Sequence, residues 1–308
     1  ERVIHEYEIT FSEAERKYDA FDTQIRNAAI DKLILDGEVN SADRLLQTRI
    51  EKYDLALNDA MANSLCVIRS PRPNTHSFAS VLSAYSKLSR RQTADINKDI
   101  SRAEYLLQKM ESYHDFKQSL PSSCQFPPRE VAFVTPNTVC YNLILSMYAS
   151  RIKTDPSNAL ESVTKCEAIF NRMRLAFASG KNKSCGPDHF TLSSIMAVLA
   201  NSKQNGIGSL AIRMLEQTRA LKGVNKSSGL KIDTVLYNSV LRVVAMDGDT
   251  DAERAHAFMK TIPHRDRISF TSVISAYQHE GSCEGAEKAV ALYREMQSSE
   301  DPGMQPDG

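Results

Sequence analysis

The chain carries no excess of either charge: 38 Lys+Arg stand against 38 Asp+Glu, for a formal net charge of zero. The broad positive field that draws a protein to nucleic acid is missing, although a local basic groove is compatible with neutrality. No Cys-x-x-Cys pair and no His–Cys cluster occurs among Cys66, Cys124, Cys140, Cys166, Cys185 and Cys283. That spacing argues against a zinc site or a disulfide scaffold and for free thiols in a reducing compartment. No apolar run approaches the ~20 residues of a membrane helix, so no membrane partner is expected. Catalytic signatures are missing too. His264–Arg265–Asp266 resembles a kinase triplet, but no Gly-rich phosphate loop or Asp-Phe-Gly accompanies it. No His-x-Glu precedes a Cys-x-x-Cys, which excludes a zinc deaminase, and no carboxylate cluster suggests a metal nuclease. We expect no catalytic residue, no metal, no cofactor and no small-molecule substrate. The sequons at Asn182 and Asn225 lack any secretory context and read as chance. The chain starts at Glu1 and stops at Gln-Pro-Asp-Gly, as if cut from something longer. With 42% hydrophobic and 25% charged residues, 308 residues can bury the core of one large or two ordinary domains.

What is present is repetition. Pro136–Tyr148 reads PNTVCYNLILSMY and Ile232–Val244 reads IDTVLYNSVLRVV. Aligned on Tyr141 and Tyr237, four more segments fall into the frame: Asn74–Tyr85, Asp188–Leu199, Asp266–Tyr277 and, more weakly, Asp22–Leu33. Apolar residues recur at i, i+3, i+4 and i+7. The sets are Phe78, Val81, Leu82, Tyr85; Tyr141, Ile144, Leu145, Tyr148; Leu192, Ile195, Met196, Leu199; Tyr237, Val240, Leu241, Val244; and Phe270, Val273, Ile274, Tyr277. The weak copy offers Arg26, Ala29, Ile30 and Leu33. This is one face of a helix, with none of the alternation of a strand. A second pattern follows each first one, a small residue and then an apolar residue four later. Examples are Ala103/Leu107/Met110, Cys166/Phe170/Met173, Ala211/Leu215/Thr218, Ala255/Met259/Ile262 and Ala289/Tyr293/Met296, with Ala42/Leu46/Arg49 in the first copy. Gly37, Gly248 and Gly281 fall between the two helices, where a left-handed residue ends a helix. Pro73, Pro136, Pro187 and Pro306 stop the second helix just before a copy closes.

The expected fold class is therefore all-α: a helix-turn-helix repeat solenoid, or superhelix, of about six repeats, because one hairpin cannot bury its apolar face alone. The copies span about 23–74, 75–137, 138–188, 189–233, 234–266 and 267–307. Residues 1–22 form an N-terminal helix or the remnant of a preceding repeat, with Ile4, Tyr7, Phe11, Ala14 and Tyr18 on one side. The unequal lengths come from polar insertions: SRRQTADIN, DFKQSLPSSCQFPPREVAFV, SGKNKSC and GVNKSSG.

PNTVCYNLILSMYAS…AIFNRM…GPD and RISFTSVISAYQHEGSCEGAEKAVALYREM…GMQPD resemble pentatricopeptide repeats, from about Thr23 to Asp307. The related tetratricopeptide family favours a tryptophan that this chain lacks. The resemblance implies binding of single-stranded RNA, one base per repeat, in a mitochondrion or plastid. In the family a selector residue, just after the first-helix aromatic, and the residue closing the same repeat together choose the base. Carried over, Asn142 with Asp188 implies uracil, Ser193 with Asp233 guanine, Asn238 with Asp266 uracil, and Thr271 with Asp307 guanine. Asn27 with Asn74 implies a pyrimidine, whereas Ala79 with Asn137 offers no selector hydrogen bond. The implied tract is 5′-Y-N-U-G-U-G-3′. Three residues before each selector, family members wedge a side chain between bases. Here those residues are Val139, Phe190, Val235 and Ile268, with His76 and Gln24 in the outlying copies. A lysine late in the first helix is common in the family. Only Lys87 fills that place, against Leu35, Ser150, Asn201, Met246 and His279. That departure, the neutral charge and the long loops point to a rival reading. In it the chain is a structural subunit of a large organellar ribonucleoprotein, such as a mitochondrial ribosome, contacting rRNA and protein subunits. A third class, the specificity arm of an enzyme, requires a further domain. The closing residues Asp188, Asp233 and Asp266 are also expected to cap helices.

Overall fold

The computed structural model describes residues 23–62, 72–91, 95–119, 134–221, 232–247, 252–299 and 303–305. The reading of residues 1–22, the glycine at 248 and the closing residue Asp307 lie outside them. The described residues are overwhelmingly helical and contain no strand. In chain order the helices are α1 (23–35), α2 (Val39–Ala62), α3 (Thr75–Arg91), α4 (Ile96–Ser119), α5 (Thr138–Thr154), α6 (Ala159–Ala178), α7 (His189–Ser202), α8 (Ile207–Leu221), α9 (Thr234–Ala245), α10 (Ala252–Lys260), α11 (Arg267–Glu280) and α12 (Cys283–Gln297). The chain divides into two compact units, Glu1–Ile144 and Leu145–Gly308, with the boundary inside α5.

The apolar stripes of α3, α5, α7 and α9 become core. In the first unit α3 packs against α4 and α2, and Phe78, Val81, Leu82 and Tyr85 of α3, Ala103, Leu107 and Met110 of α4 and Ala42 and Leu46 of α2 are all buried. In the second unit α7 packs on α9 and α9 on α11, while α8 and α10 pack against these first helices. Leu192, Ile195, Met196 and Leu199, then Tyr237, Val240, Leu241 and Val244, are buried along that seam. At about 1.5–3 kcal/mol for each large side chain, these stripes dominate the stability of the packing. The small residues of the second-helix pattern, Ala42, Ala103, Cys166, Ala211 and Ala255, are buried as helix–helix approach requires.

The ends of the helices are written locally. Every first helix after α1 opens on a side-chain cap that accepts from the backbone N–H three residues on. The bonds run from Ser77 to Asn74 (3.0 Å), Cys140 to Asn137 (3.1 Å), Thr191 to Asp188 (2.8 Å), Leu236 to Asp233 (2.9 Å) and Ser269 to Asp266 (2.9 Å). Gly37 and Gly281 take φ of 85° and 68°, ending α1 and α11 in the left-handed region. The equivalent residue after α7 is Lys203, at φ 51°.

Several expectations are corrected. The stretch read as a loop from Asp115 begins inside α4, which runs to Ser119 because nothing interrupts it before Pro121. On the last hairpin the stripe thins: Ile274 and Ala289 are half-buried and Tyr293 is exposed. Among the described residues α11 packs against α9, α10 and α12, and the Arg267 N–H donates to the Gly303 carbonyl at 3.1 Å. In α1 Ala29 is exposed, and of its four stripe positions only Ile30 is fully buried.

Candidate nucleic-acid interface

The cap sets the frame of each first helix. Counting the closing residue as the cap, the buried stripe starts four positions later and the selector stands at the fifth. The wedge residue is second, three before the selector, so wedge and selector are neighbours on one side of the helix. The wedge position faces away from the stripe and the selector stands at the stripe's edge. Val139 (56% exposed), Phe190 (70%), Val235 (63%) and Ile268 (57%) accordingly present apolar side chains to solvent at the same station of α5, α7, α9 and α11. Exposed large apolar residues recurring at one register differ from the scattered ones of an ordinary surface. In the outlying copies Gln24 and His76 are also exposed. His76 is engaged, its ring 2.9 Å from Asp31, which also accepts from Ser80 at 2.7 Å. Burial pulls the Asp31 carboxyl upward, but the bonds from His76 and Ser80 outweigh it and leave the group below its usual value.

The structure treats the selectors unequally. Asn238, on α9, is 6% exposed. Its Nδ2 donates to both carboxylate oxygens of Asp266, at 2.9 and 3.0 Å, and its Oδ1 accepts from the Ser269 hydroxyl at 2.7 Å. Asn27 is likewise buried. Its Nδ2 donates to Asn74 at 3.2 Å, and its Oδ1 accepts from Ser77 at 2.7 Å and from Arg49 at 3.0 Å. Both asparagines therefore meet their closing residues directly, across adjacent hairpins. Ser193 meets Asp233 through an intermediary: its hydroxyl lies 3.4 Å from His189 Nδ1, and His189 Nε2 lies 3.5 Å from the Asp233 carboxylate. The His189 ring stands edge-on to Phe190, with centroids 6.0 Å apart. Thr271 is exposed and turns its hydroxyl back onto the carbonyls of Arg267 and Ile268. Ala79 is half-buried and offers no polar group. Asn142, half-buried on α5, belongs to the first unit, and Asp188, capping α7, to the second.

The closing aspartates thus serve two ends. Asp188 and Asp266 form reciprocal capping boxes with Thr191 and Ser269, and Asp233 caps α9 alone. Sequence reasoning found the caps Asp188, Asp233 and Asp266 but not Asn74 and Asn137, and it missed His189, Ser77 and Ser269. The last two were visible as a hydroxyl three residues after the cap; His189 had no signal beyond its position next to Asp188. Late in the first helices Leu35, Asn201, Met246 and His279 are exposed, and Lys87 supplies the cation at that station. Among the described residues no group of three or more His, Cys, Asp or Glu is placed to hold a metal ion, and no helix is long and apolar enough to cross a membrane. No family model matches the chain.

Proposed function

We propose that the chain is a helical-hairpin solenoid of the pentatricopeptide type, binding single-stranded RNA in an organelle, one base per repeat, with no chemistry of its own. One observation carries the reading. On α7, α9 and α11 an exposed apolar side chain sits one turn before a polar selector; the selector of α9 bonds the cap of the next first helix directly, and that of α7 is linked to it through His189. A wedge to stack on a base, beside a pair of hydrogen-bonding groups to meet its edge, is what base-by-base recognition requires. The scarcity of cations at the lysine station favours the second reading, a structural subunit of an organellar ribonucleoprotein.

Binding of the whole chain to 5′-CAUGUG-3′ and 5′-CAACAC-3′, compared at one salt concentration, separates the two. Four changed bases at about 1–3 kcal/mol each predict a loss of at least about a thousandfold for the second RNA. Equal affinities end the base-reading proposal and leave the structural subunit.

A further inference from the structure

Ser269 is fully buried, yet its hydroxyl is not only a cap. It accepts from the Asp266 N–H at 3.2 Å and lies 2.7 Å from Asn238 Oδ1, closer than its 3.0 Å approach to the Asp266 carboxylate. Its single proton is best placed on the asparagine. Asp266 can only accept, so the Asn238 atom facing it must be the NH₂, and the atom facing Ser269 must be the carbonyl. The same three-residue clasp occurs independently in the first unit, where Ser77 bonds both Asn27 and Asn74. There Arg49, which can only donate, fixes the Asn27 carbonyl in the matching direction.

We propose that Ser269 is a positioning residue for base recognition: it locks the Asn238 amide so that the carbonyl oxygen is the atom offered to a base beside the Asp266 carboxylate. This rests on the RNA-reading proposal above. The two Asp266 oxygens lie too close together to meet two separate N–H bonds, so they share one Asn238 N–H, and Oδ1, held by Ser269, keeps a second lone pair beside those of the carboxylate. Such a face suits an imino N–H, as on N3 of uracil or N1 of guanine. It repels the bare ring nitrogens of cytosine and adenine. Remove the hydroxyl and the amide keeps one anchor; its broad χ2 then lets the NH₂ turn outward and meet those ring nitrogens.

The sequence pairs the two residues with consistency. Each asparagine selector, Asn27, Asn142 and Asn238, is followed in the next first helix by a hydroxyl three residues after the cap: Ser77, Thr191 and Ser269. Where the selector is not asparagine, at Ala79 and Ser193, that place holds Cys140 and Leu236. A capping function alone gives no reason for the hydroxyl to track the selector of the preceding copy.

The test uses the whole chain and its Ser269→Ala and Ser269→Thr variants, with CAUGUG and the RNAs carrying each other base at the fifth position. Threonine fits because Thr191 is fully buried at the equivalent place. The wild type is expected to favour uracil over cytosine at that base by at least about tenfold. Ser269→Ala should bring this to within about twofold and leave guanine preference at the fourth base unchanged, while Ser269→Thr restores it. In ¹⁵N-labelled protein the Asn238 side-chain NH₂ signals should move in the alanine variant and return with threonine. Equal weakening toward every RNA, with uracil preference kept, overturns the positioning role and leaves the RNA reading standing. A wild type indifferent to both the fourth and the fifth base overturns the RNA reading and this role together.

Discussion

Lys203 offers the sharpest test of the hairpin frame. It stands ten residues after Ser193, where Gly37 follows Asn27 and Gly281 follows Thr271. All three residues have positive φ, at 85°, 51° and 68° in chain order, so the backbone demands the same turn whether or not glycine is available. A non-glycine residue held there costs roughly 1–2 kcal/mol. Replacing it by glycine recovers that cost, less about 0.4–1 kcal/mol for the greater freedom of the unfolded chain. Lys203→Gly should therefore stabilise the second unit by about 0.5–1 kcal/mol. Gly281→Ala should do the reverse by a similar amount, because a Cβ at Gly281 meets nothing within 4 Å and the whole effect is backbone strain. In urea, with a slope of about 2 kcal/mol/M, the midpoint followed by far-UV circular dichroism should move by about 0.25–0.5 M in opposite directions. Lys203→Ala is the control: it removes the charge but keeps the Cβ, and should change little. If Lys203→Gly is neutral or destabilising while Lys203→Ala is neutral, the shared left-handed turn is refuted.

Asp99 is buried at the start of α4 with no hydrogen-bond partner for its Oδ2, and burial followed by the nearby Asp95 charge raises its pKa above the ordinary value. A carboxyl raised on folding costs stability while ionised, and the cost fades as pH falls through the folded pKa toward the unfolded one. Asp99→Asn should thus stabilise the protein at pH 7 by on the order of 1 kcal/mol, with the gain shrinking in acid; a gain equal at pH 7 and pH 3 contradicts this. Gly208 of α8 donates its N–H to the buried Asp247 at 2.9 Å, and a Cβ there would stand 2.9 Å from the same carboxylate oxygen and 3.2 Å from Val244 Cα. Gly208→Ala should destabilise by about 1–3 kcal/mol in the urea titration, although alanine is the better helix former; a stabilised variant would contradict the contact.

The helices and their starts were legible because both signals are local. A cap and the i, i+3, i+4, i+7 stripe lie within one turn or two of each other, and proline marks the approach to Asn74, Asn137 and Asp188. The positions that the family resemblance implies as wedges share that register, and all four are exposed. What was not legible depends on neighbours distant in sequence. Asn238 looks like a surface residue until Asp266 and Ser269 of the next hairpin enclose it. Arg49, placed on a buried stripe by spacing alone, is accommodated there because Asn27 and Ser77 receive its guanidinium. Lys203 carries no mark of a left-handed turn, since the residue type disfavours it and the chain on either side imposes it. Ile274 and Tyr293 obey the pattern of a buried stripe, but a pattern does not say whether a further element lies against it.

The central claim, that each hairpin reads one base through its selector and closing residue, is tested most directly at Ser193. Ser193→Asn, with Asp233 unchanged, should shift preference at the fourth base of CAUGUG from guanine toward uracil. A good base contact sets the scale of that change at roughly 1–3 kcal/mol of discrimination, with the other positions unaffected. If the variant folds as the wild type does and its preference at that base does not move, the hairpins do not read RNA in this way.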